Sequence, residues 1–207
     1  MPTTMGWQDA RVVEHLEIED ALDGATLEQI RREMRGADGS AARVTGVGPE
    51  EAATPSMRKA TQVEVSDASR AAVTRLLEGQ RPRIEAHFGR PLDGCEEPQF
   101  LRYGSGDYFV AHQDGNTPLI RDHTRFRRIS VVILLSEQSE HPGPDAYGGG
   151  SLVLHGPFPG PEVRIPLAPA PATLVAFPSE TTHEVTPITH GERLSIVSWY
   201  RAEESSR

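Results

Sequence analysis

The chain has 207 residues, 37% hydrophobic and 25% charged, and its 30 acidic against 21 basic side chains give a formal net charge of −9. This is the composition of one globular domain, and the single cysteine, Cys95, excludes a disulfide framework or a cysteine-rich zinc module. The acidic balance argues against a nucleic-acid partner, and an N-terminus without signal-peptide character predicts a soluble, cytoplasmic chain with no membrane partner.

The first third of the chain is predicted to be helical. Thr26 and Gln29 fit a capping box, which predicts a helix over about residues 26–35. The following segment, 37–58, lacks periodicity and is predicted to be a long loop, a feature that is often functional.

A second predicted helix follows a short strand-like run at residues 62–65. Ser66 or Asp67 can cap this helix, Pro82 is expected to break or kink it, and Gly89 is expected to end it.

From residue 99 onward the hydrophobic period changes to two. The runs are short and are separated by Gly, Pro, Asn and Ser, which is typical of a β-sandwich or barrel. The predicted strands are Phe100–Tyr103, Tyr108–His112, Ile129–Leu135, Ser151–Leu154, Val163–Leu167, Ala172–Phe177, His183–Thr186 and Leu194–Tyr200.

His112 and Asp114 follow one of these runs in a His-x-Asp arrangement. Alternate side chains of an extended backbone share a face, so the imidazole and the carboxylate can both reach one metal ion. The pair alone is a weak signal, because His-x-Asp arises often by chance, and further ligands are needed.

His183 is the candidate for a second imidazole ligand, although it could also be a hydrogen-bonded core histidine. The segment 183–200 is predicted to form a hairpin around Thr189-His190-Gly191, with Gly191 at the positive φ that such loops favour and His183 opposite Val197. His183, Arg193 and Ser195 would then project from one face. A two-residue loop would instead place Arg193 on the other face. His190 and Glu192 also fit a His-x-Glu pair, but they lie in the predicted turn.

Burial of an inward-facing Arg193 costs free energy unless an anion pairs with it. An arginine on a strand is, however, more often exposed to solvent. Two histidines and one carboxylate form the facial triad of non-haem Fe(II) oxygenases, which leaves three coordination positions open. A 2-oxo acid can fill two of these positions and dioxygen the third. Arg193 and the hydroxyl of Ser195 could then hold the far carboxylate of that acid.

Residues 99–200 resemble the catalytic core of the Fe(II)- and 2-oxoglutarate-dependent dioxygenases, in particular the prolyl 4-hydroxylase-like branch. The resemblance rests on the His112-x-Asp114 pair, on His183, and on Arg193 ten residues later with Ser195 in the Arg-x-Ser form. The run from Leu101 to His112 and the glycine-rich segment 148–152 are also similar to that family. One departure is Ile133-Leu134-Leu135, where some relatives have a tyrosine that helps to hold 2-oxoglutarate.

The resemblance implies a mainly β fold, with a double-stranded β-helix (jelly roll, cupin-like) core at about residues 99–201. About residues 1–98 would form a helical support within the same single domain of residues 1–207. It further implies that His112, Asp114 and His183 bind Fe(II), that Arg193 and Ser195 bind 2-oxoglutarate, and that Tyr103 lines its pocket; Tyr103 could also simply pack.

The implied reaction hydroxylates a substrate C–H bond with O2 and converts 2-oxoglutarate to succinate and CO2. Asp114 favours hydroxylation over halogenation, and the resemblance also allows ascorbate as a reductant. The substrate would be a prolyl or other residue of a protein or peptide, or a free amino acid or small metabolite. Two alternatives stay open: a cupin-like metal enzyme that does not use 2-oxoglutarate, and a non-catalytic jelly-roll binding module.

Three features near the core have a secondary interpretation. The loop at about 43–61 occupies the place of the substrate-side loop of prolyl hydroxylases. The basic segment Arg121–Arg128 could steer an acidic substrate, but a solvated face is the simpler interpretation. Trp199 and Tyr200 end a core strand and are predicted to serve only packing.

Overall fold

The computed structural model describes residues 13–42, 57–117, 122–157 and 162–202. Helix α1 spans Gly24–Gly36, which includes the predicted helix at about residues 26–35. The predicted cap is wrong, because Asp23 is the N-cap and accepts hydrogen bonds from the backbone N–H and the hydroxyl of Thr26. An aspartate just before the first turn satisfies an unpaired helix N–H, which places Thr26 inside the helix.

Helix α2 spans Asp67–Phe88, with Ser66 as N-cap and Gly89 as a left-handed C-cap at φ 61°. Both predicted ends are therefore correct. The predicted break is not observed, because the helix runs through Pro82 to Phe88. Packing explains the difference: Ile84 and Phe88, beyond the proline, belong to the same buried cluster as Val73 and Leu77 before it.

The rest of the described chain is mainly strand, with one short 3-10 helix at His123–Phe126. The strands are β1 (Leu16–Ile18), β2 (Gly39–Ala41), β3 (Arg58–Lys59), β4 (Thr61–Val63), β5 (Asp93–Cys95), β6 (Gln99–Tyr103), β7 (Tyr108–His112), β8 (Arg127–Leu134), β9 (Glu137–Gln138), β10 (Ala146–Gly149), β11 (Leu152–His155), β12 (Arg164–Leu167), β13 (Leu174–Pro178), β14 (His183–Val185), β15 (Ile188–Gly191) and β16 (Arg193–Arg201).

These strands form two main sheets that enclose one interior. The larger sheet has the order β1-β13-β8-β16-β6-β4-β2, with β5 beside β16, and the facing sheet has the order β12-β11-β14-β7-β3. A third, three-stranded sheet has the order β15-β10-β9. The mainly β jelly-roll fold with N-terminal helices is confirmed, although strands before residue 99 also join both main sheets.

Alternation along β8 and β16 separates two hydrophobic cores. Odd residues of β8 and even residues of β16 pack against the helices, whereas Val132, Leu134 and Val197 face the other sheet. The polar side chains of Arg193 and Ser195 share the inward parity of Val197. Strand period therefore sends these two groups into the barrel interior.

The predicted hairpin between His183 and Arg193 is wrong. His183 pairs with His112 on β7 and with Leu154 on β11, and it does not pair with Val197. The chain leaves the facing sheet at Pro187, which has no N–H to extend a ladder, and β15 then pairs with β10. His183 and Arg193 thus belong to opposite sheets.

Gly191 ends β15 at φ 71°, as the turn prediction required. A Cβ atom at this position would clash with the carbonyl oxygen of Ala146, so the close approach of β10 also demands glycine. Within the described ranges, no helix is long and apolar enough to cross a membrane.

Candidate metal centre

Three potential metal ligands meet where β7 and β14 pair. His112 ends β7, His183 begins β14, and their Cα atoms are direct partners in the ladder. Asp114 lies just beyond β7, and its backbone N–H donates to the carbonyl of Ser179, 3.0 Å away. One ligand atom from each of the three residues lies within 4.8 Å of the others.

Hydrogen bonds set the tautomers of both imidazoles. Nδ1 of His112 lies 2.8 Å from the carbonyl oxygen of Val110, and Nδ1 of His183 lies 3.0 Å from that of Thr181. A carbonyl oxygen can only accept, so each Nδ1 carries the proton and each Nε2 presents a lone pair. The two Nε2 atoms face Asp114 at 3.4 and 3.5 Å.

The charge states also suit a cation. Burial and the neighbouring His112 lower the pKa of His183 to about 4, so its imidazole is neutral at pH 7. Burial would raise the pKa of Asp114, but the two histidines and the Trp199 hydrogen bond outweigh this effect and hold it well below the usual range. Two imidazole nitrogens and one carboxylate are the donor set of a non-haem Fe(II) site.

Trp199 contributes to this centre in a way that the sequence prediction missed. Its indole Nε1–H donates to Oδ2 of Asp114 at 2.8 Å, whereas Tyr200 packs against the helices as predicted. The alternation along β16 could have predicted this position, because Trp199 lies on the same face of the strand as Arg193 and Ser195.

An aromatic stack supports His112 from the side. The ring of Phe109 lies 3.6 Å from the imidazole, at an angle of 19°. The guanidinium carbon of Arg58 lies 4.7 Å from the centroid of the Phe109 ring. β3 and β7 therefore brace the first histidine together.

Arg193 is the second feature of the interior. It is 1% exposed, and its Nη1 donates to Oγ of Ser195 at 2.9 Å. Its Nε and Nη2 have no hydrogen-bond partner among the residues that the structure describes. A buried guanidinium with two unsatisfied donors is costly, and a carboxylate ligand would satisfy both in a bidentate pair.

Tyr103 lies beside this arginine. It is the Cα partner of Arg193 in the β6–β16 ladder, it is buried, and its ring centroid is 5.4 Å from the guanidinium carbon. Nη2 of Arg58 donates to the Tyr103 hydroxyl oxygen at 3.4 Å, so the hydroxyl hydrogen can be directed elsewhere.

Leu134 is the residue of the Ile133-Leu134-Leu135 run whose side chain faces the interior. It is the Cα partner of Ser195 and faces inward, whereas Ile133 and Leu135 pack toward the helices. β8 therefore presents no side-chain hydroxyl beside Ser195.

The remaining candidates lie outside the triad. His190 is on β15, and Glu192 lies 3.9 Å from Arg35, so the His-x-Glu pair is not part of the metal centre. Residues 43–56 of the predicted substrate-side loop, and Arg121 of the basic segment, lie outside the described residues. Within that segment Arg127 is 5% exposed and paired with Glu96, which contradicts a wholly solvated face.

Comparison with known proteins identifies the family of this fold and donor set. The sequence model described as the 2OG-Fe(II) oxygenase superfamily matches residues 98–201, a segment that holds all three potential ligands and Arg193. A PKHD-type hydroxylase of Phenylobacterium zucineum (strain HLK1) is 34% identical over 107 residues, 51% of this chain and 43% of that protein.

Another PKHD-type hydroxylase, from Gluconacetobacter diazotrophicus, is 35% identical over 115 residues, 53% of this chain and 46% of that protein. The matches thus span less than half the length of these curated relatives.

Solved structures share the architecture over most of the chain. A Pseudomonas putida prolyl-4-hydroxylase superposes with a TM-score of 0.64 at 21% identity, covering 91% of this chain and 92% of that one. A prolyl hydroxylase from Trichoplax adhaerens, in complex with a hypoxia inducible factor peptide fragment, gives 0.69 at 18% identity, covering 93% and 87%. The sequence match across the jelly-roll core, on a fold common to these enzymes, shows that the chain belongs to the 2OG-Fe(II) oxygenase superfamily.

Proposed function

We propose that this chain is a non-haem Fe(II)- and 2-oxoglutarate-dependent dioxygenase that hydroxylates a C–H bond of its substrate. In that reaction one oxygen atom of O2 enters the substrate as hydroxyl and the other enters succinate, while 2-oxoglutarate loses its carboxylate as CO2. Bound Fe(II) would supply the activation of O2.

In this proposal His112, Asp114 and His183 hold the iron. Their support is the donor set itself: one ligand atom from each of the two imidazoles and the carboxylate lies within 4.8 Å of the others, and Nδ1 of each imidazole is held by a backbone carbonyl. Three protein ligands leave three coordination positions for small molecules.

The observation that carries the proposal is the unsatisfied guanidinium of Arg193. A dicarboxylate that reaches the metal with one end would bring its other carboxylate to the two unpaired donors, Nε and Nη2. Ser195 orients the guanidinium by accepting from Nη1, and the ring of Tyr103 lies beside it.

Two rival functions are less well supported. A cupin-like metal enzyme that does not use 2-oxoglutarate would need the triad but not a buried arginine with open donors. A non-catalytic jelly-roll module would need neither the arginine nor histidines with fixed tautomers. The superfamily match and the relatives named as hydroxylases also favour the oxygenase.

We further propose a residue of a protein or peptide, prolyl among the candidates, as substrate. The similar fold of the Trichoplax adhaerens enzyme, which was solved with a peptide fragment, supports this class over a free amino acid or small metabolite. Stimulation by ascorbate and a cytoplasmic location stay predictions.

The test measures succinate after O2 is admitted to protein loaded anaerobically with Fe(II) and 2-oxoglutarate. Wild-type protein should form succinate, and Arg193→Ala should lose at least about 90% of this activity, since the far carboxylate loses a bidentate charged partner worth about 1.5–3 kcal/mol per bond. Arg201→Ala, at the exposed end of the same strand, is the matched control and should keep full activity. Equal succinate formation by wild type and Arg193→Ala would refute the assignment.

The substrate class needs its own assay. Proline-containing peptides and free L-proline are compared for their ability to raise 2-oxoglutarate turnover and to gain one oxygen atom by mass. A mass gain on peptides alone supports the peptide proposal, and a gain on the free amino acid alone contradicts it.

A further inference from the structure

Oδ2 of Asp114 is fully occupied by protein donors. Oγ of Ser130 donates to it at 2.7 Å and Nε1 of Trp199 at 2.8 Å. A carboxylate oxygen has two in-plane lone pairs, so these two donors use both of them. Nε2 of His183 also lies 3.5 Å from Oδ2, but both lone pairs of that oxygen are used, so Oδ1, which lies 3.4 Å from Nε2 of His112, is the oxygen left for a metal ion.

Trp199 is held in this orientation from behind. The guanidinium of Arg127 stacks 3.6 Å from the indole centroid, and Arg127 is itself fixed by two hydrogen bonds of 2.8 and 2.6 Å to the carboxylate of Glu96. A cation over the ring withdraws π density, which makes the indole N–H a stronger donor. The direction of the indole N–H is therefore fixed by Glu96, in the loop between β5 and β6, and by Arg127 on β8.

Ser130 is fixed in a similar way. Its hydroxyl oxygen lies 3.1 Å from the hydroxyl of Ser179, which can donate to it, and both serines are buried. The carbonyl of Ser179 also accepts from the backbone N–H of Asp114. Ser130 and Trp199 thus approach the same oxygen from separate rigid supports.

We propose that Trp199 and Ser130 are positioning residues that restrict Asp114 to binding the metal through one oxygen. If both oxygens bound, the triad would occupy four positions and leave only two open, too few for a chelating 2-oxo acid together with O2. By occupying Oδ2, the two donors keep the third position available. This inference rests on the proposed function, because it concerns the geometry that 2-oxoglutarate requires.

The test compares 2-oxoglutarate with glutarate, which has the same two carboxylates but no keto oxygen. Dissociation constants of both are measured by calorimetry on protein loaded with Fe(II) under anaerobic conditions. The visible charge-transfer band of the Fe(II) chelate with 2-oxoglutarate is recorded in parallel. Glutarate can pair with Arg193 and reach the metal with one carboxylate oxygen but cannot chelate it through a keto oxygen, so the preference for 2-oxoglutarate over glutarate reports on chelation.

Trp199→Phe keeps an aromatic ring for Arg127 but removes the N–H donor, and Ser130→Ala removes the other donor. In both variants we expect the preference for 2-oxoglutarate over glutarate to fall about tenfold or more, the scale typical of an outer partner of a metal ligand. The charge-transfer band should weaken, while glutarate affinity stays within twofold. Tyr200→Phe, which loses a buried hydrogen bond to Leu77 on the helix side, is the matched control and should preserve both.

Two results would overturn the inference: an unchanged preference in both variants, or an equal loss of affinity for the two ligands, which would mark a general structural effect. If Trp199→Phe does not fold, Ser130→Ala decides alone. If wild-type protein shows no metal-dependent binding of 2-oxoglutarate, the proposed function itself fails, and this outcome is distinct from a variant that behaves like wild type.

Discussion

His112 and His183 are direct Cα partners across β7 and β14, and their imidazole centroids lie 4.2 Å apart. Because side chains of paired residues stand on the same face, this register alone brings two nitrogen ligands together. A slip of one residue would turn one imidazole to the outer face.

Removing either imidazole should therefore abolish tight metal binding. We expect His112→Ala and His183→Ala each to lower metal affinity by about 100-fold or more. Loss of a residue that only hydrogen-bonds a metal ligand typically lowers affinity by roughly 10- to 100-fold. Titration of the metal-free protein with Fe(II) under anaerobic conditions measures this affinity. The exposed His141→Ala is the control, and wild-type affinity in His183→Ala would show that the ligand assignment is wrong.

The metal-free protein should lose stability as the pH falls from about 6.5 toward 4. The pKa of His183 is about 4 in the folded state and 6.5 as the ordinary value, so between these pH values the unfolded chain binds the extra proton. The free energy of unfolding then rises with pH across this window. Asp114, whose pKa is also lowered, acts in the same direction below its ordinary value of 3.8.

Denaturant unfolding at a series of pH values measures this dependence. His183→Gln should flatten the slope between pH 4 and 6.5, because the residue that resists protonation is gone. A slope in His183→Gln equal to that of wild type would assign the effect to other groups.

Ser195→Ala should weaken 2-oxoglutarate binding without changing metal affinity. The variant removes the acceptor that orients Nη1 of Arg193, a single hydrogen bond worth about 0.5–1.5 kcal/mol, or roughly two- to tenfold in affinity. Ser198→Ala is the matched control, since Ser198 is a buried serine of the same strand that donates to the Glu96 carbonyl. An unchanged dissociation constant in Ser195→Ala would remove Ser195 from the co-substrate site.

Arg127→Ala should destabilise the fold strongly. It leaves the partly buried carboxylate of Glu96 without its bidentate partner, a change that costs about 3–5 kcal/mol for a buried ion pair. Arg83→Ala, at an exposed position of α2, should change the free energy of unfolding by less than about 0.5 kcal/mol. Equal stability of the two variants would contradict a structural role for the Glu96–Arg127 pair.

The sequence predicted which three side chains lie together, His112, Asp114 and His183, more accurately than the path of the chain. Local signals placed β7, the ends of α2 and the positive φ of Gly191, because they depend on neighbouring residues. The hairpin joining His183 to Arg193 was wrong because pairing of β14 with β7 is a contact across about 70 residues that no local pattern encodes.

Short strands were also missed. β9 has two residues and β5 three, too few for an alternating pattern to be recognised. The bond from Trp199 to Asp114 could not be predicted either, since an apolar strand position gives no sign of what its indole N–H meets.

Binding of 2-oxoglutarate followed by calorimetry is the most direct test of the central claim, that the triad and Arg193 hold opposite ends of one co-substrate. Affinity should then depend on both the metal and the arginine: wild-type protein with Fe(II) binds tightly, and removal of either Fe(II) or the Arg193 guanidinium weakens binding by at least about tenfold, or 1.4 kcal/mol. Equal affinity with and without the metal, or in Arg193→Ala, would contradict it.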